Sequence, residues 1–296
     1  MIKTLDKTMR PADVVARLTD GMTIGIGGWG PRRKPMALVR EILRSPLKDL
    51  TIVAYGGPDV GMLCAAGKVR KVIYGFVSLD VIPLEPHFRN ARESGAIDVW
   101  EVDEGMLQLG LRAAAARLPF LPTRVGLGTD LLTHSPHLKT VRSPYDDGEV
   151  LLAMPAIPLD VALLHVNESD VKGNTRIDGP DPFFDEWFAR AAAQCYVSCE
   201  TLSTSLEEED LVRARNNPFE RSLVTGVVHA PAGAHPTSRG PQYGFDVPHL
   251  KTYCASADQD AGFAAYRKEV IGQNEADYLA KIGGSGHVLG LPLPVL

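Results

Sequence analysis

Short apolar runs rich in β-branched residues, each closed by glycine or by polar residues and followed by a helix-like segment, recur from Met22 to Gly105. This alternation is the strongest constraint on the fold. MTIGI, LTIVAYGG, KVIYGFVSLD and AIDVWEVDEG read as strands, and the segments at 35–43, 60–69 and 83–95 between them read as helices. Strands that alternate with helices through short connections must run parallel. The pattern therefore predicts an α/β protein with an open, mainly parallel sheet flanked by helices. In such sheets ligands bind in the crevice beyond the carboxyl ends of the strands. The turns that follow each strand are thus the first places to look for chemistry.

Two turns stand out. In GMTIGIGGWGPRRKP, Gly27, Gly28 and Gly30 follow the first strand, and Arg32, Arg33 and Lys34 come next. A glycine turn admits a ligand close to the backbone and offers free N–H groups. The G-x-G-G-x-G spacing is not the dinucleotide fingerprint, and the helix starts only after Pro-Arg-Arg-Lys-Pro. Gly27 and Gly28 are candidates for stabilising an oxyanion through their N–H groups. The three cations are either a solvated run or a cradle for carboxylate.

The second turn lies in VWEVDEGMLQLGLRAAAARLPFLPTR, residues 99–124. A strand leads to Glu104 and Gly105, a helix follows over 106–117, and a proline-bracketed apolar strand closes the stretch. Glu104 is the candidate catalytic acid/base, although an acid at a helix start also simply complements the dipole. A carboxylate serving as a base near neutral pH needs burial to favour its neutral form. The neighbours expected to supply it are Met106, Leu107 and the run Leu118-Pro119-Phe120. Arg124 is a candidate for clamping a substrate carboxylate through its planar guanidinium, or else a structural ion pair. Ser78, at the end of the third strand, is a weaker orienting candidate, with Asp80 beside it.

Beyond Arg124 the sequence predicts a long loop over 126–150, then strands LLAMPAIP, DVALLHV and CYVSCETL. A helix over 181–193 carries Phe183, Phe184, Trp187 and Phe188, whose helical spacing marks them as core or interface. Residues 206–216 read as a surface helix. The irregular loop at 233–253 suggests a contact with a partner or ligand. His165, after an apolar run, reads as structural; His235 is open to either role. The whole chain, 1–296, is expected to form a single domain, with interface loops and helices from about 230 to 296.

Composition excludes several classes. A formal charge of −5 over 296 residues leaves no basic footprint for nucleic acid. No stretch reaches the ~20 apolar residues of a membrane span, and the charged N-terminal stretch lacks a signal-peptide core. Four unevenly spaced cysteines suit a reducing cytoplasm, the expected location. Cys195 and Cys199 lack a nearby pair to complete a metal site, so no metal is expected.

Five motifs taken in order, IGGWG, YGFVS, EGMLQLGLRAAAARLPFLPTR, DVALLHVNESDVKGN and GAHPTSRGPQYGFD, resemble the alpha subunits of family I coenzyme A transferases, especially the glutaconate CoA-transferase type. MTIGIGGWGPRRKPMALVR, YGGPDVG and GKVRKVIYGFVSLD are most similar to the branch of hydrolases that open the last steroid ring in bacterial cholesterol breakdown. The resemblance implies the CoA-transferase (NagB/RpiA-like) fold, a beta subunit in an α2β2 heterotetramer, and an active site between chains. It implies no separate cofactor, because coenzyme A is part of the substrate. The family's transferases use a beta-chain glutamate as nucleophile. Where the 3-oxoacid branch has glutamine before the glycine matching Gly105, this chain has Glu104, as the ring-opening hydrolases do. The implied reaction is hydrolytic C–C cleavage of a cyclic β-keto acyl-CoA. The alternatives are CoA transfer to a carboxylic acid, and a non-catalytic chain that kept only the fold.

Overall fold

The computed structural model describes residues 5–179, 181–206, 216–259 and 261–293. Its first half alternates as the sequence predicts: α1 (Pro11–Val15), β1 (Thr23–Ile26), α2 (Met36–Arg44), β2 (Leu50–Gly56), α3 (Pro58–Ala65), β3 (Val69–Val77), α4 (Pro86–Glu93), β4 (Asp98–Glu101) and α5 (Glu104–Ala115). After these come β5 (Phe120–Thr123), α6 (Leu131–His134), β6 (Lys139–Arg142), β7 (Val150–Pro155), β8 (Leu159–Asp170), β9 (Thr175–Arg176), α7 (Asp185–Ala191), β10 (Ala192–Ser203) and β11 (Val224–His229). Four α-helices close the described chain: Val247–Ala255, Gly262–Tyr266, Glu275–Lys281 and Gly284–Leu289.

The main sheet runs β11-β10-β8-β1-β2-β3-β4, with β9 folded back antiparallel onto β8. All its other pairings are parallel. From β1 the chain winds outward to β4, and from β8 it winds the other way to β11. The order therefore reverses between β1 and β8, which is the topological switch point where ligands bind in open α/β sheets. Both faces are covered, so the central strands are apolar on both sides. Every residue of β2 is buried. One face packs Ile24, Ile26, Ile52 and Leu163 against α2 and α3. The other packs Val53, Tyr55, Leu164 and Val166 against Met106, Leu107 and Phe188 of α5 and α7. Side chains of this kind each contribute about 1.5–3 kcal/mol on burial. Gly25 lets α7 close onto the sheet, since a Cβ there would lie 2.7 Å from Phe188 Cδ1.

The structure departs from the sequence expectation in four places. Residues 118–155 do not join the main sheet: β5, β7 and β6 form a separate three-stranded antiparallel sheet. The loop expected over 126–150 thus contains a short helix and a strand. β11 is a parallel strand that the sequence reading does not anticipate. The aromatic helix starts only at Asp185, because Phe183 and Phe184 adopt left-handed φ values of 51° and 62°. The loop expected to face a partner is largely folded inward, with His235, Thr237, Ser238, Arg239 and Tyr243 buried. Several of its polar groups bond within the chain: Arg40 donates to the His235 carbonyl, and Arg40 in turn holds Glu275 of the C-terminal helices. The expected helix at 206–216 lies outside the described residues over 207–215.

Candidate active site

The site forms beyond the carboxyl ends of β1 and β4, where α5 and the segment before α7 meet. Asp103 caps α5, its Oδ1 accepting from the Gly105 N–H at 2.7 Å. Glu104 therefore occupies the first turn of the helix, with its carbonyl accepting from the Tyr55 hydroxyl at 2.9 Å. Gly75 on β3 permits this approach: a Cβ there would lie 3.0 Å from the Glu104 Cα. The side chain enters a cavity of about 420 Å³ lined by Trp29, Arg32, Glu104, Asp181, Pro182, Phe183 and Phe184. Trp29 Nε1 donates to Glu104 Oε1 at 2.9 Å.

Aromatic rings and one cation build the rest of the wall. Trp29 meets Phe76 edge-on at 4.9 Å and lies parallel to Phe183 at 6.3 Å. The Arg32 guanidinium sits 5.1 Å from the Trp29 ring and 5.8 Å from Phe245, and pairs with Asp80 at 2.8 Å. Arg32, Asp181 and Phe183 also line an adjoining cavity of about 210 Å³, completed by Arg33, Asp178, Gly179, Ser238, Gly240, Pro241 and Leu293. The apolar neighbours of Glu104 are thus not those the sequence suggests. Met106 and Leu107 are buried in the core beneath the helix, and Leu118 and Phe120 are exposed on the antiparallel sheet. The strained φ of Phe183 and Phe184 turns their rings to the cavity instead.

The structure narrows the cationic cluster to one member. Arg33 is buried and donates to Asp185 at 2.5 Å, to the His165 carbonyl at 2.8 Å and to the Pro182 carbonyl at 2.8 Å. Lys34 is fully buried, donating to the Tyr55 carbonyl at 2.6 Å and pairing with Asp59 at 3.2 Å. Burial pushes its ammonium below the ordinary lysine range, opposed by Asp59. Both cations hold the fold together, and Arg33, although at the edge of the adjoining cavity, has its guanidinium already bonded within the chain. The expected oxyanion groups are occupied as well. Gly27 N–H donates to the Leu163 carbonyl at 2.9 Å and Gly28 N–H to Asp185 Oδ1 at 2.9 Å.

The remaining candidates are dispersed. Ser78 Oγ accepts from the Asp80 N–H at 3.0 Å, one step behind the Arg32–Asp80 pair and outside the lining of either cavity. Arg124 is exposed on the antiparallel sheet and grips Glu149 through two 2.6 Å bonds. His165 is structural, as its sequence context suggests: its ring bridges Ser198 at 2.9 Å and Glu200 at 3.0 Å. Burial opposes the charge on Glu200, yet bonds from His165 and Tyr243 hold its carboxyl down to about 2. His235 is also internal, bonded to Tyr278 at 2.6 Å and Asp246 at 2.9 Å. Ligand-type atoms of His235, Asp246 and His249 lie within 4.8 Å of one another. Both His235 nitrogens are nevertheless already satisfied within the chain. Cys195 and Cys199 are buried on β10, and burial pushes the Cys199 thiol up to about 12.

Residues missed at the sequence level include Trp29, Tyr55, Gly75, Asp185, Phe183 and Phe184. Trp29 carried a signal, since a large aromatic inside a glycine turn at a strand end has no turn-forming reason to be there. Asp185 gave none beyond its place in a helix first turn.

Comparison with known proteins accords with this geometry. A family model for coenzyme A transferase matches residues 8–220, and the chain belongs to that family. It is 48% identical over 291 residues to the cholesterol ring-cleaving hydrolase IpdA subunit of Rhodococcus jostii (strain RHA1), covering 95% of this chain and 97% of that one. A glutaconate CoA-transferase subunit of Acidaminococcus fermentans is 30% identical over 302 residues, covering 95% and 93%. The crystal structure of that transferase superposes with a TM-score of 0.90 at 30% identity, covering 97% of this chain and 96% of the other. A crystal structure of the decarboxylase AibA/AibB gives 0.78 at 28% identity, covering 89% and 98%. Among the described residues no helix is long and apolar enough to cross a membrane.

Proposed function

We propose that this chain is the alpha subunit of a heteromeric hydrolase that opens the last ring of a steroid-derived cyclic β-keto acyl-CoA. The observation that carries the reading is Glu104, set on the wall of an aromatic cavity with one oxygen tied to Trp29 and the other without a hydrogen-bond partner among the described residues. The 48% identity to a protein named as a cholesterol ring-cleaving hydrolase subunit supports the substrate class. Relatives named as subunits support a partner chain, for which an α2β2 assembly is proposed, working in the cytoplasm.

In this mechanism Glu104 takes a proton from water, and the resulting hydroxide adds to the ring ketone. The tetrahedral adduct collapses, breaking the bond between the former ketone carbon and the carbon next to the thioester. The electron pair of that bond becomes the thioester enolate, and the ketone carbon becomes a carboxylic acid. Protonated Glu104 returns its proton to the enolate carbon, and the new acid ionises into solvent. Arg32, fixed between two aromatic rings, is placed to hold a substrate carboxylate by exchanging its bond to Asp80. No separate cofactor takes part.

The test is the co-expressed complex with wild-type chain or Glu104→Ala, given a cyclic β-keto acyl-CoA and followed by mass spectrometry. The expected result is a ring-opened product with one added water from wild type, and unchanged bound substrate from the variant. CoA transfer to an added carboxylic acid by both proteins would establish the alternative, a transferase subunit, for which the family match is the supporting observation.

A further inference from the structure

The bond between Trp29 and Glu104 has a consequence for how the acid works. Trp29 is held on every side that matters. Its backbone N–H and carbonyl form a two-way bridge with Arg32, 3.0 Å in each direction. Its ring is packed by Phe76, Phe183 and the Arg32 guanidinium. The indole N–H therefore points from a fixed place, and it points at Glu104 Oε1. The glutamate main chain is fixed separately, by Tyr55 at its carbonyl and by the Asp103 cap on the following residue. With the main chain and the indole both anchored, keeping the indole bond restricts the side-chain torsions between them.

Two chemical effects follow. An indole is a donor only, so the oxygen it reaches keeps that bond best while unprotonated. A donor also favours the charged form of a carboxylate over the neutral one. We propose that Trp29 is a positioning residue for Glu104: it assigns Oε1 to the indole and leaves Oε2 as the single oxygen that exchanges protons with water and the substrate carbon. The inference rests on the proposed role of Glu104 as acid/base. It goes beyond that role by naming which oxygen acts and what fixes it.

Trp29→Phe keeps an aromatic ring in the wall and removes the donor. In the co-expressed complex, kcat for ring opening is expected to fall about tenfold or more, with KM within about twofold. A risen KM with kcat intact, or kcat and KM both unchanged, would overturn the proposal. A readout independent of turnover is 19F NMR of the complex labelled with 5-fluorotryptophan, where the Trp29 resonance is the one missing from Trp29→Phe. That resonance should shift with pH in wild type and lose the shift in Glu104→Gln. A resonance that ignores Glu104 ionisation overturns the proposal whatever the substrate. If it follows Glu104 but wild type opens no ring, the positioning contact stands and the functional reading falls.

Discussion

The turns after β1 and β4 both lie at carboxyl ends of parallel strands, and they use their polar groups in opposite ways. Residues 27–34 carry three glycines and three cations. Every backbone N–H in that stretch is bonded within the chain, and two of the three cations are buried in internal pairs. The β4–α5 turn carries one acid facing a cavity, and leaves one of its oxygens without a hydrogen-bond partner among the described residues. The cause is position in the sheet. β1 lies between β8 and β2, so its loop is covered by α7 and by the 232–246 segment, and covered polar groups must be satisfied internally. β4 is the last strand of its sheet, and less of the chain packs over the turn that follows it. Charge density at a strand end is therefore a poor guide to function; what counts is whether the fold leaves a group unpaired.

Breaking each turn should separate the two roles. Glu104→Gln is expected to lower the ring-opening rate by about 10³-fold, within the range for loss of a general base, with the melting temperature of the complex unchanged. A large fall in melting temperature would move Glu104 into the structural class. Asp185→Ala attacks the other turn, stripping Arg33 and the Gly28 N–H of their shared carboxylate. Removing one member of such a buried pair costs about 3–5 kcal/mol, so urea unfolding of the complex should shift to markedly lower midpoint.

A third acid sharpens the contrast, because it is buried without a cation. Burial pushes the Glu85 carboxyl up to about 7, although the Tyr253 hydroxyl and Phe88 N–H bond to it and favour the charge. Between its ordinary value of 4.5 and about 7, the folded chain holds a proton that the unfolded chain has lost. Stability should accordingly fall as pH rises through that window, by about 3 kcal/mol in all, and level off above it. Glu85→Gln cannot ionise and should lack this component of the slope when urea midpoints are compared at pH 5 and pH 8. Smaller effects are expected from the cations. Arg32→Lys loses the planar contact with two rings and should raise KM about tenfold while leaving the melting temperature near wild type. Arg124→Ala breaks only an exposed pair with Glu149, and thermal melting of the complex should not detect it.

What the sequence determined by itself is local. Apolar runs closed by glycine or polar residues and followed by helical segments specify β1 to β4 and their helices, because the period of the apolar residues and the turn chemistry act within a few residues. The place of Glu104 in a strand-to-helix turn was legible for the same reason: strand, acid, glycine and helix are consecutive. The structural roles of Cys195, Cys199 and His165 follow from their apolar settings. The family motifs, spread over most of the chain, added the class of fold and chemistry. Only the tertiary structure decided the rest. β5, β6 and β7 pair with one another because of partners up to 35 residues apart in the sequence, from Phe120 to Pro155, and no single one of those strands encodes that choice. Asp185 reaches back 152 residues to take Arg33, which removes a cation that looked available. Trp29 reaches forward 75 residues to fix Glu104, and Phe183 and Phe184 leave the helix to wall the cavity. Each of these contacts is set by which side chains the folded chain brings within bonding distance, a property that spacing along the sequence does not contain.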